Sequence, residues 1–183
     1  MTVQRGPQGP RGGGVGREPR DRVRPLDATI RPARLDDEEF LVALSARVFR
    51  LYSRDAGSAM RRMMRSRTSE IAVAEHGETR MGFVVVDIKA LGRPFGPLKR
   101  PSVAHLDAIA VRPNMSSQGI GHRLLAHAEK VARARGAVSL SLLTAETNTE
   151  AQRLFRSAGF QVLAPFDNVY ADGQRALSMF KSL

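Results

Sequence analysis

The stretch Val-Arg-Pro-Asn-Met-Ser-Ser-Gln-Gly-Ile-Gly-His-Arg-Leu-Leu, residues 111–125, constrains this chain more than any other segment. An apolar strand pattern runs into a proline. A short polar loop follows, and two glycines then open an amphipathic helix. Peptide N–H groups at a helix start have no intrahelical partners, and the helix dipole adds partial positive charge there. Such a loop is a site for phosphate or pyrophosphate. Gly119 and Gly121 remove the Cβ atoms that would keep a ligand off the backbone. The segment therefore predicts a bound phosphorylated cofactor.

The chain has 183 residues, enough for one domain with a full core. No run approaches the length needed to cross a bilayer, and no apolar h-region marks a secretory signal. Absence of cysteine excludes disulfides, thiolate metal sites and a Cys nucleophile. Together these features lead to the expectation of a cytoplasmic protein without a metal. The formal net charge of +11 suits an anionic cofactor or an acidic partner. It also admits nucleic acid, which is otherwise an unlikely partner, through the segment Arg5-Gly-Pro-Gln-Gly-Pro-Arg-Gly-Gly-Gly-Val-Gly16. Residues 1–26 have almost nothing apolar to bury, and predict a disordered Arg/Gly/Pro-rich tail ahead of a domain over 27–183.

Periodicity orders the domain. Thr29-Ile-Arg reads as a strand. A helix follows over 37–52, with Asp36 as its cap and an apolar face of Phe40, Leu41, Leu44, Val48 and Leu51. A second helix over 55–66 carries Met60, Met63 and Met64, which read as core filling. Strands at 71–74 and 81–88 flank a hairpin turn, and residues 92–101, rich in Pro and Gly, form a loop. Next come a strand over 104–111, a helix over 118–135, a strand over 137–144, a helix over 148–158 ended by Gly159, and strands over 160–163 and 175–181. The strand-helix-strand unit at 104–144 demands a parallel pair, and the hairpins demand antiparallel neighbours. The fold class is α/β: a mixed sheet with helices on both faces.

Four elements in this order, Leu106–Pro113, Gln118–Leu125, Asn148 and Leu154-Phe-Arg-Ser-Ala-Gly-Phe160, resemble the GNAT superfamily of acetyl-CoA-dependent N-acetyltransferases. The likeness spans residues 28–183. It implies a central sheet with a splayed parallel strand pair, and acetyl-CoA as co-substrate. The superfamily's loop frame Gln/Arg-x-x-Gly-x-Gly/Ala falls on Ser116, Ser117, Gln118, Gly119, Ile120 and Gly121, with Ser116 replacing the usual first residue. A dinucleotide loop would need a third glycine where Leu124 stands.

By the same resemblance, the peptide groups of Ile109, Ala110 and Val111 pair with pantetheine, and an N–H near Val111 stabilises the oxyanion. His122, Arg123, Asn148 and Phe155 complete the implied cofactor set. Asn148 also fits an N-cap.

An amine attacks a thioester only after losing a proton, so a base is needed. Asp107 is the first candidate and His105 the second, both on the strand leading to the loop. Phe155 stands where many members use a Tyr to protonate the thiolate. Water or Tyr170 would replace it. The acceptor, a small amine, a protein N-terminus or a lysine, is expected between the first two helices and the late hairpin, and the resemblance leaves a homodimer open. Two other readings remain: a non-catalytic acyl-CoA-binding regulatory module, and a nucleic-acid-associated protein acting through the basic tail.

Overall fold

The computed structural model describes residues 28–92, 101–170 and 173–183. The tail over 1–26 and most of the Pro/Gly-rich loop over 92–101 lie outside these residues. Strand β1 (Thr29–Pro32) leads into helices α1 (Glu38–Val48) and α2 (Ala56–Arg65). Strands β2 (Ser69–His76), β3 (Thr79–Ala90) and β4 (Ser102–Val111) follow. Helix α3 (Ile120–Ala134), strand β5 (Ala137–Ala145) and helix α4 (Thr149–Ser157) come next, and β6 (Gln161–Phe166) and β7 (Ala176–Ser182) close the chain. The sheet order is β1-β2-β3-β4-β5-β7-β6. Among the described residues only the β4–β5 pair is parallel, and α3 makes its crossover. The mixed sheet expected from the sequence is borne out.

Met81, Phe83, Val84, Val85 and Val86 are all buried, because β3 is covered on both faces. Met81, Val84 and Val86 join Leu124, Leu125, Ala128 and Ala132 of α3 in one core. Phe83 and Val85 join Leu41, Leu44 and Met60 of α1 and α2 in the other. The spacing of four in Ile120, Leu124, Ala128 and Ala132 lays one stripe of α3 on the sheet. Its alanines let the helix approach closely.

The β4–β5 ladder runs from Ser102↔Ala137 to Leu106↔Leu142 and then stops. β5 continues against β7 as far as Ala145↔Ala176. On its other side β4 stays paired with β3 up to Gly82↔Val111. The two parallel strands therefore part beyond Leu106. A bulge sits at the branch point: Val86 pairs with Leu106 and Val85 with Ala108, so Asp107 is the extra residue. A bulge of this kind bends its strand and re-aims a side chain. Gly82 holds β3 close to the bent segment, since a Cβ there would stand 2.5 Å from the Ala110 carbonyl oxygen.

Several boundaries shift. α1 ends at Val48, and both Tyr52 and Ser53 donate to the Phe49 carbonyl in a tight turn. That turn leaves Leu51 exposed instead of extending the helical stripe. β6 runs to Phe166, on the sheet edge. The α1 cap is Asp37, not Asp36. Its carboxylate is buried and accepts from Arg31 Nη1 at 2.6 Å, Arg80 Nε at 2.6 Å and the Arg34 N–H at 2.7 Å. It therefore makes no side-chain cap bond to α1 and instead pins β1 and β3 to the helix start. Asp36 stays near the surface and pairs with Arg80 Nη2 at 2.9 Å.

Burial alone would raise the Asp37 pKa, but the hydrogen bonds from Arg31, Arg34 and Arg80 outweigh it and hold the carboxyl well below the usual range. A depressed carboxylate adds stability above its unfolded pKa and loses it as pH falls through the folded one. Asp37→Asn is expected to cost about 3–5 kcal/mol in urea unfolding at pH 7, since it leaves two guanidinium groups without their buried partner. The difference from wild type should shrink as pH drops below about 4.

Candidate active site

The strand divergence opens two cavities. The larger, of about 940 Å³, runs from Ile109, Ala110 and Val111 across the loop to the start of α3 and the flank of α4. The smaller, of about 270 Å³, lies between β4, β5 and the α1–α2 segment. Ile109, Asn148 and Ala151 line both, so the cavities meet where β4 and β5 part.

Arg112 donates its N–H to the Met81 carbonyl at 2.8 Å. Strand alternation then directs the peptide groups of Ala110 toward β3 and those of Ile109 and Val111 into the gap. Beyond Leu106 no β5 residue pairs with them. This leaves a short row of backbone donors and acceptors facing the cavities. Ala110 contributes wall, and Ile109 and Val111 contribute polar groups.

The loop closes the far end. Ser117 has φ 65° and Gly119 φ 77°, both left-handed. Gly119 is the N-cap of α3, and the first intrahelical bond is Arg123 N–H to its carbonyl, at 3.1 Å. The N–H groups of Ile120, Gly121 and His122 precede that bond and carry the positive end of the helix dipole. Gly121 lies against α4, where a Cβ would stand 3.3 Å from Leu154 Cδ2. Ser116 and Ser117 line the cleft, although the Ser116 hydroxyl donates to the Pro113 carbonyl at 2.7 Å. His122 also lines it and bonds Ser157 of α4 at 2.9 Å.

Two of the predicted loop side chains are placed elsewhere. Arg123 donates to the Ala28 carbonyl, fastening α3 to the chain entering β1. Gln118 does not line the cleft, and its Oε1 is buried with no hydrogen-bond partner among the described residues. Three arginines supply cationic lining instead: Arg47, Arg50 and Arg153. Arg153 follows Asn148 by five residues on an exposed helix, so only the approach of α4 to the loop reveals it.

Asn148 caps α4, its Oδ1 accepting from the Ala151 N–H at 3.1 Å. Phe155 is buried on the smaller cavity, 5.9 Å from the Phe160 ring. Tyr170 lines the same cavity and tilts against Tyr52, with centroids 5.6 Å apart. Burial, with a smaller push from Tyr52, drives its pKa up to about 12, so Tyr170 remains a proton-bearing phenol.

Asp107 opens onto the smaller cavity from the bulge. Its side chain keeps an exposed side, yet partial burial by the surrounding protein raises its carboxyl pKa. His105 and Lys89 oppose the rise, and Asp87 adds to it. His105 lines neither cavity. Its Nδ1 lies 3.0 Å from Ser141 Oγ, which itself reaches the Ala104 carbonyl at 3.3 Å. If that hydroxyl donates to the carbonyl, the proton of His105 is assigned to Nδ1.

An open helix N-terminus with left-handed glycine, flanking arginines and a row of free peptide groups fits a long ligand with a diphosphate at one end and amides along its body. Residues 34–160 match the acetyltransferase (GNAT) family. The chain belongs to that family. It is an N-acetyltransferase domain with acetyl-CoA as co-substrate. No curated protein matches the sequence. Among solved structures, NAA60 of Arabidopsis thaliana in complex with acetyl-CoA superposes with a TM-score of 0.74 at 15% identity, over 85% of this chain and 98% of that one. Ard1 of Thermoplasma volcanium gives 0.71 at 22%, covering 85% and 97%. A ribosomal-protein-alanine N-acetyltransferase of Brucella melitensis gives 0.67 at 23%, covering 85% and 99%. At these identities the likeness is one of fold.

Among the described residues no group of three or more His, Asp or Glu side chains is placed to hold a metal ion, and no helix is long and apolar enough to cross a membrane.

The loop geometry makes a quantitative demand. An L-residue in the left-handed region costs about 1–2 kcal/mol. Gly119→Ala is therefore expected to weaken coenzyme A binding by about tenfold in calorimetry, because the loop relaxes away from the φ that aims its N–H groups.

Proposed function

We propose that this enzyme transfers acetyl from acetyl-CoA to a primary amine by direct attack in a ternary complex, and that the amine sits at the terminus of a polypeptide. The observation that carries the reading is the meeting of the two cavities at the β4–β5 divergence. One is long and cationic, the other short and largely apolar, and both reach Ile109 and Asn148. A thioester entering from one side and an amine from the other converge there. The polypeptide acceptor is supported by the fold shared with an enzyme named for ribosomal-protein alanine, and by a pocket bounded by the Tyr52–Ser53 segment and Tyr170. A small-molecule amine or a lysine side chain is the alternative acceptor.

The co-substrate supplies an acetyl thioester. On this reading the Gly119–His122 N–H groups, with Arg47, Arg50 and Arg153, hold its diphosphate end. Ser116 and Ser117 line that grip, and Asn148 and Phe155 wall the channel toward the reacting end. Ile109 and Val111 hold the pantetheine amides, and the Val111 N–H stabilises the developing oxyanion. Asp107 takes the ammonium proton, directly or through one water, freeing the nitrogen lone pair. The C–N bond forms, the nitrogen releases its second proton to solvent, the C–S bond breaks, and Tyr170 or water protonates the thiolate. A thiol pKa near 8.5 makes that last step undemanding at neutral pH. His105 lines neither cavity and is placed to hold β4 against β5 through Ser141 instead of taking the proton.

The carboxyl of Asp107 must be ionised to act. Its raised pKa places the acid limb of the kcat/KM profile above the ordinary carboxylate range, with activity lost as pH falls through it. Asp107→Asn is expected to lower kcat by about 10²–10⁴ and to abolish that limb, with coenzyme A affinity unchanged. Thiol release across a panel of peptides and small amines measures this. Coenzyme A binding without thiol release from any amine would favour a non-catalytic acyl-CoA module, the reading that Phe155 invites.

A further inference from the structure

Ser45 stands out among the residues that the proposed mechanism leaves unused. It lies on α1, is 1% exposed, and lines the smaller cavity. Its hydroxyl has no hydrogen-bond partner among the described residues. Around it the cavity wall is apolar: Phe49, Ala56, Ala59, Met60, Met63 and Ala108. A buried hydroxyl without a partner is costly to keep. The apolar cores on either side of the sheet hold few other polar side chains, and the most buried of these, Asp37, is fully paired.

We propose that Ser45 is a specificity-determining residue, placed to hydrogen-bond an uncharged polar atom, a hydroxyl or a carboxamide, on the acceptor residue that bears the amine. This rests on the reading of the smaller cavity as the acceptor pocket. Three features point the same way. The hydroxyl can donate and accept, so it matches a hydroxyl or an amide but offers no counter-charge. Among the described residues the ionisable groups lining the cavity are Asp107, Tyr52 and Tyr170, and Asp107 is committed to the amine. Two of the residues beside Ser45 are methionines, whose unbranched thioether chains re-pack around an incoming group at low cost. Ser53, Thr144 and Asn148 also line the cavity, but Ser45 is the one buried hydroxyl there with no partner among the described residues. A site holding such a group rejects the analogue that leaves it unpaired, while an apolar wall alone barely distinguishes near-isosteric side chains.

A purely structural role makes the opposite forecast. A helical serine can rotate to bond the carbonyl four residues earlier, here that of Leu41. In that case Ser45→Ala would lower the melting temperature and leave substrate choice alone.

The test uses the full chain with acetyl-CoA and tetrapeptides differing only in the first residue, in the near-isosteric pairs Thr/Val and Gln/Met. Wild type is expected to favour the polar member of at least one pair by about tenfold or more in kcat/KM, equal to about 1.4 kcal/mol. Ser45→Ala should erase that excess by slowing the polar peptide, with the apolar peptide unchanged or faster and the melting temperature equal or higher. Ser45→Thr, which keeps the hydroxyl, should retain the preference. Turnover with a polar-to-apolar ratio that Ser45→Ala does not move overturns the inference and leaves the acetyl-transfer reading standing. A lowered melting temperature with unchanged ratios overturns it in favour of the helix bond. Thiol release with small amines but with none of the peptides overturns the polypeptide acceptor and this inference with it. No thiol release with any amine overturns acetyl transfer itself.

Discussion

One broken ladder organises this molecule. β4 and β5 pair side by side for a few residues and then part, because β4 follows β3 around a bulge while β5 follows β7. Each strand keeps one neighbour and loses the other. Unpaired backbone groups in a protein interior are costly, so such a gap persists only where something else meets them. Here they face cavities open to ligand or water. The same bend that frees Ile109 and Val111 makes Asp107 the surplus residue at the branch, where it looks into the smaller cavity. The opening, the proposed base and the proposed oxyanion donor are thus consequences of one irregularity.

Rigid surroundings hold that irregularity in place. Gly82 admits the close approach of the Ala110 carbonyl, and α3 buries a continuous stripe against β3 and β4. The Asp37 cluster ties β1, β3 and the start of α1 into one unit. α1 in turn supplies Ser45 and, in its last turn, Arg47, so the wall of the smaller cavity and part of the cationic lining of the larger share a single anchor. One helix therefore contributes to both sides of the site.

Local chemistry made much of this legible. The glycine loop was readable because φ values of that kind need Gly119, and because a strand, a proline and an amphipathic helix surround it. The parallel pair was readable because a helix intervenes between two apolar strands. Features that depend on distant partners were not. Nothing around Asp37 distinguishes it from Asp36. Arg80, 43 residues away, reaches both carboxylates, and it is burial with the bonds from Arg31 and the Arg34 N–H that sets Asp37 apart. The bulge at Asp107 is a property of the pairing with β3 and leaves no mark in the composition of β4. Arg47 and Arg153 read as solvated faces until α1 and α4 converge on one cleft. Arg123, in the expected place on the helix, reaches back to Ala28 instead.

The replacement of tyrosine by Phe155 shows how function can move within such a frame. Phe155 keeps its ring in the core against Phe160 and gives up the proton. On the opposite side of the same cavity Tyr170 stands against Tyr52, its proton held by burial. On the proposed mechanism the hydroxyl is then offered from the β6–β7 segment instead of from α4. Thiolate departure needs little assistance near neutral pH, so the demand on that hydroxyl is weak, and its exact position can drift between elements without loss of the reaction. The base is under the opposite constraint. On the proposed mechanism a proton is taken where the amine meets the thioester, and among the described residues the bulged residue of β4 is the carboxylate that lines that cavity.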